Sequence, residues 1–134
     1  MMASERILVV DDDRLIVMII ESVLKKEGYE VYTASNGKEG LNKAREVKPN
    51  LMILDIMMST DTEGFDLAYE LKNKPRFENL PIIILTSFLE KVREEGPDKF
   101  QHIMGEEWPA KWLFEKPVDS KKLIAKIEGI LGKL

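Results

Sequence analysis

The chain contains no cysteine and only one histidine, His102, among its 134 residues. The lack of cysteine excludes disulfide bonds, thiolate metal sites and cysteine nucleophiles. A single histidine excludes metal sites that are built from several imidazoles. Any metal site therefore has to consist mainly of oxygen ligands, which suit hard cations such as Mg²⁺.

Long apolar runs and clusters of basic residues are also missing. No stretch approaches the roughly 20 apolar residues that cross a bilayer, and residues 1–6 are too polar for a signal peptide. Acidic and basic residues are mixed and give a net charge of −4, so no basic stripe is present to bind nucleic acid. We expect a cytoplasmic protein that binds neither membrane nor nucleic acid.

The composition fits one globular domain over residues 1–134. Hydrophobic residues make up 44% and charged residues 33%, which is an ordinary balance for a folded domain. Short apolar runs alternate with stretches of helical periodicity, and the runs predict strands at residues 7–10, 30–34, 51–54, 82–85 and 112–114. Strict strand–helix alternation predicts an α/β fold, a doubly wound parallel sheet with helices on both faces.

Chemically reactive residues stand where the predicted strands end. They are Asp11, Asp12 and Asp13 after the first strand, Asp55 after the third, Thr86 after the fourth and Lys116 after the fifth. Because the carboxyl ends of parallel strands share one edge of the sheet, these residues can converge there. Grouped carboxylates repel one another unless a cation neutralises them, and oxygen ligands favour Mg²⁺.

This set of residues fits phosphoryl transfer. A carboxylate beside Mg²⁺ can attack a phosphoryl group and form an acyl phosphate. Lys116 can neutralise one phosphoryl oxygen, and the hydroxyl of Thr86 can donate a hydrogen bond to another.

In the order and spacing of these motifs, the sequence resembles the response-regulator receiver domain of two-component signalling. The resemblance is carried by four segments in order, which are residues 7–13, 54–58, 81–87 and 115–118. It extends from about Arg6 to Leu131. It implies a flavodoxin-like sheet with strand order 2-1-3-4-5.

The resemblance also implies a metal site and a phosphoryl acceptor. Asp55 aligns with the acceptor. Asp11 and Asp12 align with the acidic pair that holds Mg²⁺ together with Asp55 and the backbone carbonyl of Met57. Asp13 lies just past the pair and is expected to cap the first helix.

Further roles and partners follow from the same resemblance. Thr86 aligns with a switch hydroxyl and Lys116 with a phosphate-pairing lysine, whose bond to Pro117 is expected to be cis. The implied phosphoryl donor is a histidine kinase, a phosphotransfer protein or a small molecule. The output partner is unknown, and a homodimer that forms on phosphorylation is compatible with the family.

Three departures from the family pattern concern the regions through which phosphorylation would be signalled to the output partner. Ser59 stands where a proline is usual, and the loop there holds about one extra residue. The stretch between about residues 92 and 111 is longer than usual, and it either presents Phe100 and Trp108 to a partner or covers its own core. Leu113 stands where the family often has an aromatic switch residue.

Alternative functions remain open at this stage. One is a degenerate receiver that acts as a phosphorylation-independent interaction module. A second is an aspartate-nucleophile phosphatase that uses Asp11 and Asp13, although Leu15 departs from that pattern. A nucleotide binder is disfavoured because no glycine-rich loop follows the first strand. The sequence has no room for an output domain after Leu134, so we expect a stand-alone or an excised receiver, which is a signalling module rather than an enzyme.

Overall fold

The computed structural model describes residues 4–55, 63–86 and 112–132 of the chain. The strands are β1 (Arg6–Val10), β2 (Glu30–Ala34), β3 (Leu51–Asp55), β4 (Ile82–Thr86) and β5 (Trp112–Glu115). The helices are α1 (Arg14–Lys26), α2 (Gly37–Val47), α3 (Glu63–Lys72) and α4 (Ser120–Ile130). Within these described ranges, no helix is long and apolar enough to cross a membrane.

The five strands form one parallel sheet in the order β2-β1-β3-β4-β5. This arrangement confirms the doubly wound, flavodoxin-like fold and the expected strand order. The chain moves outward from β1 to β2 and then returns past β1 to form β3. In open parallel sheets of this type, ligands bind at the carboxyl ends of the strands where the direction of winding reverses, which here are β1 and β3.

Two hydrophobic clusters pack on opposite faces of the sheet, because alternate residues of a strand point to opposite faces. Leu8 and Val10 of β1 belong to the cluster that includes buried residues of α2 and α3. Ile7 and Val9 belong to the cluster that includes buried residues of α1 and α4. The central strands are buried on both faces, which explains their unbroken apolar sequences.

Polar residues cap three of the helices. Asp13 caps α1, as the sequence predicted, and Asp119 caps α4. The cap of α2 is Asn36. Gly28 follows α1 with a φ of 93°, a conformation that glycine adopts readily.

Arg6 in β1 holds the C-terminal end of α2. Its Nε donates a hydrogen bond to the Val47 carbonyl and its Nη2 donates one to the Lys48 carbonyl, both at 2.8 Å. Lys48 has a φ of 50°, in the left-handed region. The two bonds satisfy carbonyls that a helix end leaves unpaired, and they fix the path of the chain toward β3.

Candidate functional site

The site begins at the carboxyl end of β1, where Asp11 follows the strand directly. The Asp11 backbone N–H donates a hydrogen bond to the Ala34 carbonyl at 3.1 Å, which continues the β1–β2 ladder. The side-chain Oδ1 of Asp11 accepts the backbone N–H of Asp13 at 2.9 Å. Asp11 is thus held through its main chain and its side chain, and only 2% of its surface is exposed.

Lys116 joins two buried carboxylates. Its Nζ lies 2.9 Å from Asp11 Oδ2 and 3.2 Å from Asp55 Oδ2, and it donates a hydrogen bond to Asp55. Asp55 is the last residue of β3 and is 3% exposed. Lys116 follows β5, and its peptide bond to Pro117 is cis, as expected. The ends of β1, β3 and β5 therefore meet, as the sequence predicted.

A third carboxylate completes an acidic cluster. Asp11, Asp12 and Asp55 each offer an oxygen within 4.8 Å of those of the other two. Asp11 Oδ2 is buried and forms an ion pair with Lys116, but it accepts no well-directed hydrogen bond from the described residues. That oxygen can still serve as a metal ligand, and an all-oxygen donor set suits Mg²⁺. The residues present therefore fit this ion.

The pKa values of two groups at the site, Asp12 and Lys116, are raised, for different reasons. Desolvation is the largest cause for Asp12, the charge of Asp11 adds to it, and Lys116 opposes it. For Lys116, desolvation lowers the pKa, but interactions with Asp55 and Asp11 outweigh it and the pKa is raised. Lys116 is therefore positively charged at neutral pH, and a bound cation would favour the ionised form of Asp12.

The third acidic residue of the run, Asp13, caps helix α1. Its Oδ1 accepts the backbone N–H groups of Leu15 at 3.0 Å and Ile16 at 3.3 Å. A phosphatase that uses Asp11 and Asp13 would need the Asp13 carboxyl within reach of the reacting group as an acid or base. Its engagement with the first turn of α1 disfavours that alternative.

Other predicted residues are only partly described. Thr86 is the last residue of β4, so its predicted place at a strand end is confirmed, while the role of its hydroxyl stays a prediction. Met57 and the segment 92–111 lie outside the described residues. Leu113 lies in β5 and is 51% exposed.

Sequence reasoning missed an apolar surface beside the site. Leu15, Met18 and Ile19 of α1 are 65%, 63% and 51% exposed, and we call them the α1 surface. Ile19 also lines a groove of about 290 Å³ that reaches Lys116. The sequence does indicate this surface, because residues 15–20 are six consecutive apolar residues, more than one buried helix face requires. Exposed apolar groups of this size often mark a binding surface.

Comparison with known proteins gives the class of the chain. The family profile described as "Response regulator receiver domain" matches residues 7–128. The chain belongs to the receiver domain family of two-component response regulators.

Particular relatives give the same assignment. The alkaline phosphatase synthesis transcriptional regulatory protein PhoP of Bacillus subtilis (strain 168) is 32% identical over 130 residues, which cover 97% of this chain and 50% of that protein. The chain thus spans about half the length of the curated relatives that it matches.

Solved structures agree with the family and the fold. A CheY-like response regulator receiver domain protein from Methanospirillum hungatei JF-1 has a TM-score of 0.77 and 28% identity, with 98% of this chain and 96% of that chain covered. The response regulator TrrA from Thermotoga maritima, solved in complex with Mg(2+)-BeF, has a TM-score of 0.73 and 31% identity. That match covers 94% of this chain and 98% of TrrA.

Proposed function

We propose that the chain accepts a phosphoryl group on Asp55 in a Mg²⁺-dependent reaction and that phosphorylation switches its binding to partners. The observation that carries the proposal is the Lys116 ammonium between Asp11 and Asp55, with Asp12 in the same cluster. A cation against a buried carboxylate is suited to neutralise an arriving phosphoryl oxygen. Family membership and the Mg(2+)-BeF complex of TrrA support the same function.

The transfer forms one bond and breaks another. A carboxylate oxygen of Asp55 attacks phosphorus, and the bond between phosphorus and the donor breaks. The electron pair leaves with the imidazole of a phosphohistidine or with the acetate of acetyl phosphate. Asp11, Asp12, Asp55 and the carbonyl of Met57 would hold Mg²⁺, which supplies charge neutralisation for the phosphoryl oxygens. The product is an acyl phosphate on Asp55, which water later hydrolyses.

Lys116 connects the chemistry with a change of structure. Before transfer its ammonium is paired with Asp11 and Asp55. After transfer the phosphoryl oxygens carry more negative charge than the former carboxylate, so Lys116 turns to one of them. Thr86, at the end of β4, donates its hydroxyl to another. These shifts at β4 and β5 alter the surface that meets the output partner, and the segment 92–111, which precedes β5 in sequence, stays the predicted contact for that partner.

The α1 surface is the proposed contact for a phosphoryl donor protein. A histidine kinase or phosphotransfer protein has to bring its phosphohistidine to the open edge of the sheet above Asp55. The groove beside this surface is lined by Ile19 and by Lys116, whose ammonium lies 3.2 Å from Asp55, so the apolar area adjoins the partner of the reacting carboxylate. Exposed apolar side chains there can supply the buried contacts that anchor a protein interface.

Replacing the acceptor tests the proposal. With acetyl phosphate and Mg²⁺, the wild-type chain should gain the mass of one phosphoryl group in a base-labile linkage, as measured by intact-protein mass spectrometry. Asp55→Asn should gain none, because its amide is not a nucleophile for phosphorus. Asp66→Asn, at an exposed position on α3, is the matched control and should be labelled like the wild type.

Two results would contradict the proposal. Labelling that persists in Asp55→Asn would place the acceptor elsewhere. A wild-type chain that is never labelled would support the phosphorylation-independent interaction module instead.

A further inference from the structure

We infer that Asp13 is a positioning residue of the site, which acts on the metal through Asp11. By capping α1 it holds its own backbone N–H against Asp11 Oδ1, and this contact directs Asp11 Oδ2 toward Lys116 and toward a bound Mg²⁺. The inference rests on the proposed function, because it concerns how the same site is held in shape.

The two carboxylate oxygens of Asp11 have separate partners. Oδ1 accepts the N–H of Asp13 at 2.9 Å, whereas Oδ2 lies 2.9 Å from Lys116 Nζ. A carboxylate that is fixed at one oxygen cannot rotate freely about its bond to Cβ. The N–H of Asp13 therefore determines where the second oxygen of Asp11 points.

The side chain of Asp13 keeps that N–H in place. Asp13 has extended backbone angles, φ −86° and ψ 102°, which differ from those of the helix that follows. Its carboxylate holds the first turn of α1 through Leu15 and Ile16. Loss of the cap frees the first helical N–H groups and loosens the chain at this junction. The same junction carries Asp12, so both ligands from this run depend on it.

The start of α4 offers a cap of identical chemistry for comparison. Asp119 accepts the backbone N–H groups of Lys121 at 3.0 Å and Lys122 at 3.1 Å. Truncation of Asp119 therefore removes one carboxylate and two capping bonds, as truncation of Asp13 does. The difference is that the N–H of Asp13 also holds Asp11.

Charge and capping can be separated by the choice of substitution. Asparagine is as good a cap as aspartate, so Asp13→Asn removes the charge and keeps the hydrogen bonds. Asp13→Ala removes both. Residues that orient metal ligands usually change metal affinity about 10–100-fold when they are lost, so a measurable difference between the two variants is expected.

Mg²⁺ affinity of the full chain, measured by isothermal titration calorimetry with magnesium chloride, provides the test. We expect Asp13→Asn to bind close to the wild type, Asp13→Ala to bind about tenfold more weakly, and Asp119→Ala to bind like the wild type. Urea unfolding should show similar losses of stability for the two alanine variants. If Asp13→Ala fails to fold, Asp13→Gly serves instead, because glycine at a cap costs less stability.

The outcomes separate this inference from the proposed function. Equal Mg²⁺ affinities for Asp13→Asn and Asp13→Ala would overturn the positioning role while leaving the metal site intact. Weakening by Asp119→Ala to the same degree as by Asp13→Ala would also overturn it. Absence of Mg²⁺ binding by the wild-type chain would overturn the proposed function and the inference together.

Discussion

At the scale of single residues, the ammonium of Lys116 allows two nearly buried carboxylates to lie close together. Its distances of 2.9 Å to Asp11 and 3.2 Å to Asp55 make it their shared counter-ion. The sequence predicted that these three residues meet, because each follows a strand of one parallel sheet. It could not predict which oxygen faces which nitrogen, since that depends on side-chain rotamers and on local burial.

Replacing Lys116 with methionine tests its part as counter-ion. In the absence of metal, Lys116→Met leaves two buried carboxylates without a cation, so the free energy of unfolding should fall by about 3 kcal/mol. Mg²⁺ should restore more stability to this variant than to the wild type, because the ammonium no longer competes for the carboxylates. Urea unfolding with EDTA and with saturating Mg²⁺ measures both effects.

Lys122→Met is the control for this substitution. Lys122 is exposed on α4, so the same change there should alter unfolding by no more than about 0.5 kcal/mol in either condition. A Lys116→Met variant that behaves like this control would show that the carboxylates do not need the ammonium.

At the scale of secondary-structure elements, the sequence predicted the bounds of the strands more closely than it predicted the bounds of the helices or which helical residues are buried. The runs that predicted β1, β3 and β4 are buried on both faces, so their bounds agree to within a residue. For the third helix, the sequence predicts a helix around residues 65–74, whereas the structure has it at Glu63–Lys72. Helical spacing groups Leu15 and Ile19 with Ile20 and Leu24, which are buried, but Leu15 and Ile19 are exposed. Periodicity shows which residues share a face and cannot show whether another element covers it.

The left-handed residue at the end of α2 gives a prediction at this scale. Lys48 has a φ of 50°, which disfavours residues with a Cβ, so Lys48→Gly should raise the free energy of unfolding by about 0.5–1 kcal/mol. Lys43→Gly, inside the same helix, should lower it by about 1 kcal/mol. Equilibrium unfolding in urea gives both values. Changes of the same sign at the two positions would refute the argument from backbone conformation.

At the scale of the whole molecule, the strand order could not be derived from composition or periodicity. Five similar apolar runs can be arranged in many orders, and the order 2-1-3-4-5 came from the resemblance in motifs. The structure bears it out, and that order sets β1 beside β3. The acidic cluster depends on this neighbour relation, because Asp11 and Asp55 end the two central strands.

The α1 surface gives a prediction about how the molecule meets its donor. Met18→Ala should slow phosphoryl transfer from a histidine kinase that labels the wild type by about fivefold at low donor concentration, as expected for loss of about 1 kcal/mol of contact. Labelling by acetyl phosphate should be unchanged, because Met18 takes no part in the chemistry. Initial rates with radiolabelled kinase and with acetyl phosphate measure the two reactions.

Replacement of a second exposed apolar residue controls for a general effect of lost surface hydrophobicity on the kinase reaction. Leu113→Ala removes a side chain of comparable exposure from β5, and kinase labelling of this variant should match the wild type. If Met18→Ala slows both donors equally, or if Leu113→Ala slows the kinase as much as Met18→Ala does, then α1 is not the docking surface.

The position of β5 has a consequence for local unfolding. Among the described residues, β5 is an edge strand that pairs with β4 alone, and it leads to Lys116, which is 61 residues from Asp55 in sequence. Edge elements often open without unfolding of the rest of a domain. A chain whose β5 and α4 have detached would keep its carboxylates and lose their counter-ion. The proposed capacity to receive a phosphoryl group is therefore tied to the stability of this last strand and helix, and we expect it to disappear before the sheet itself unfolds.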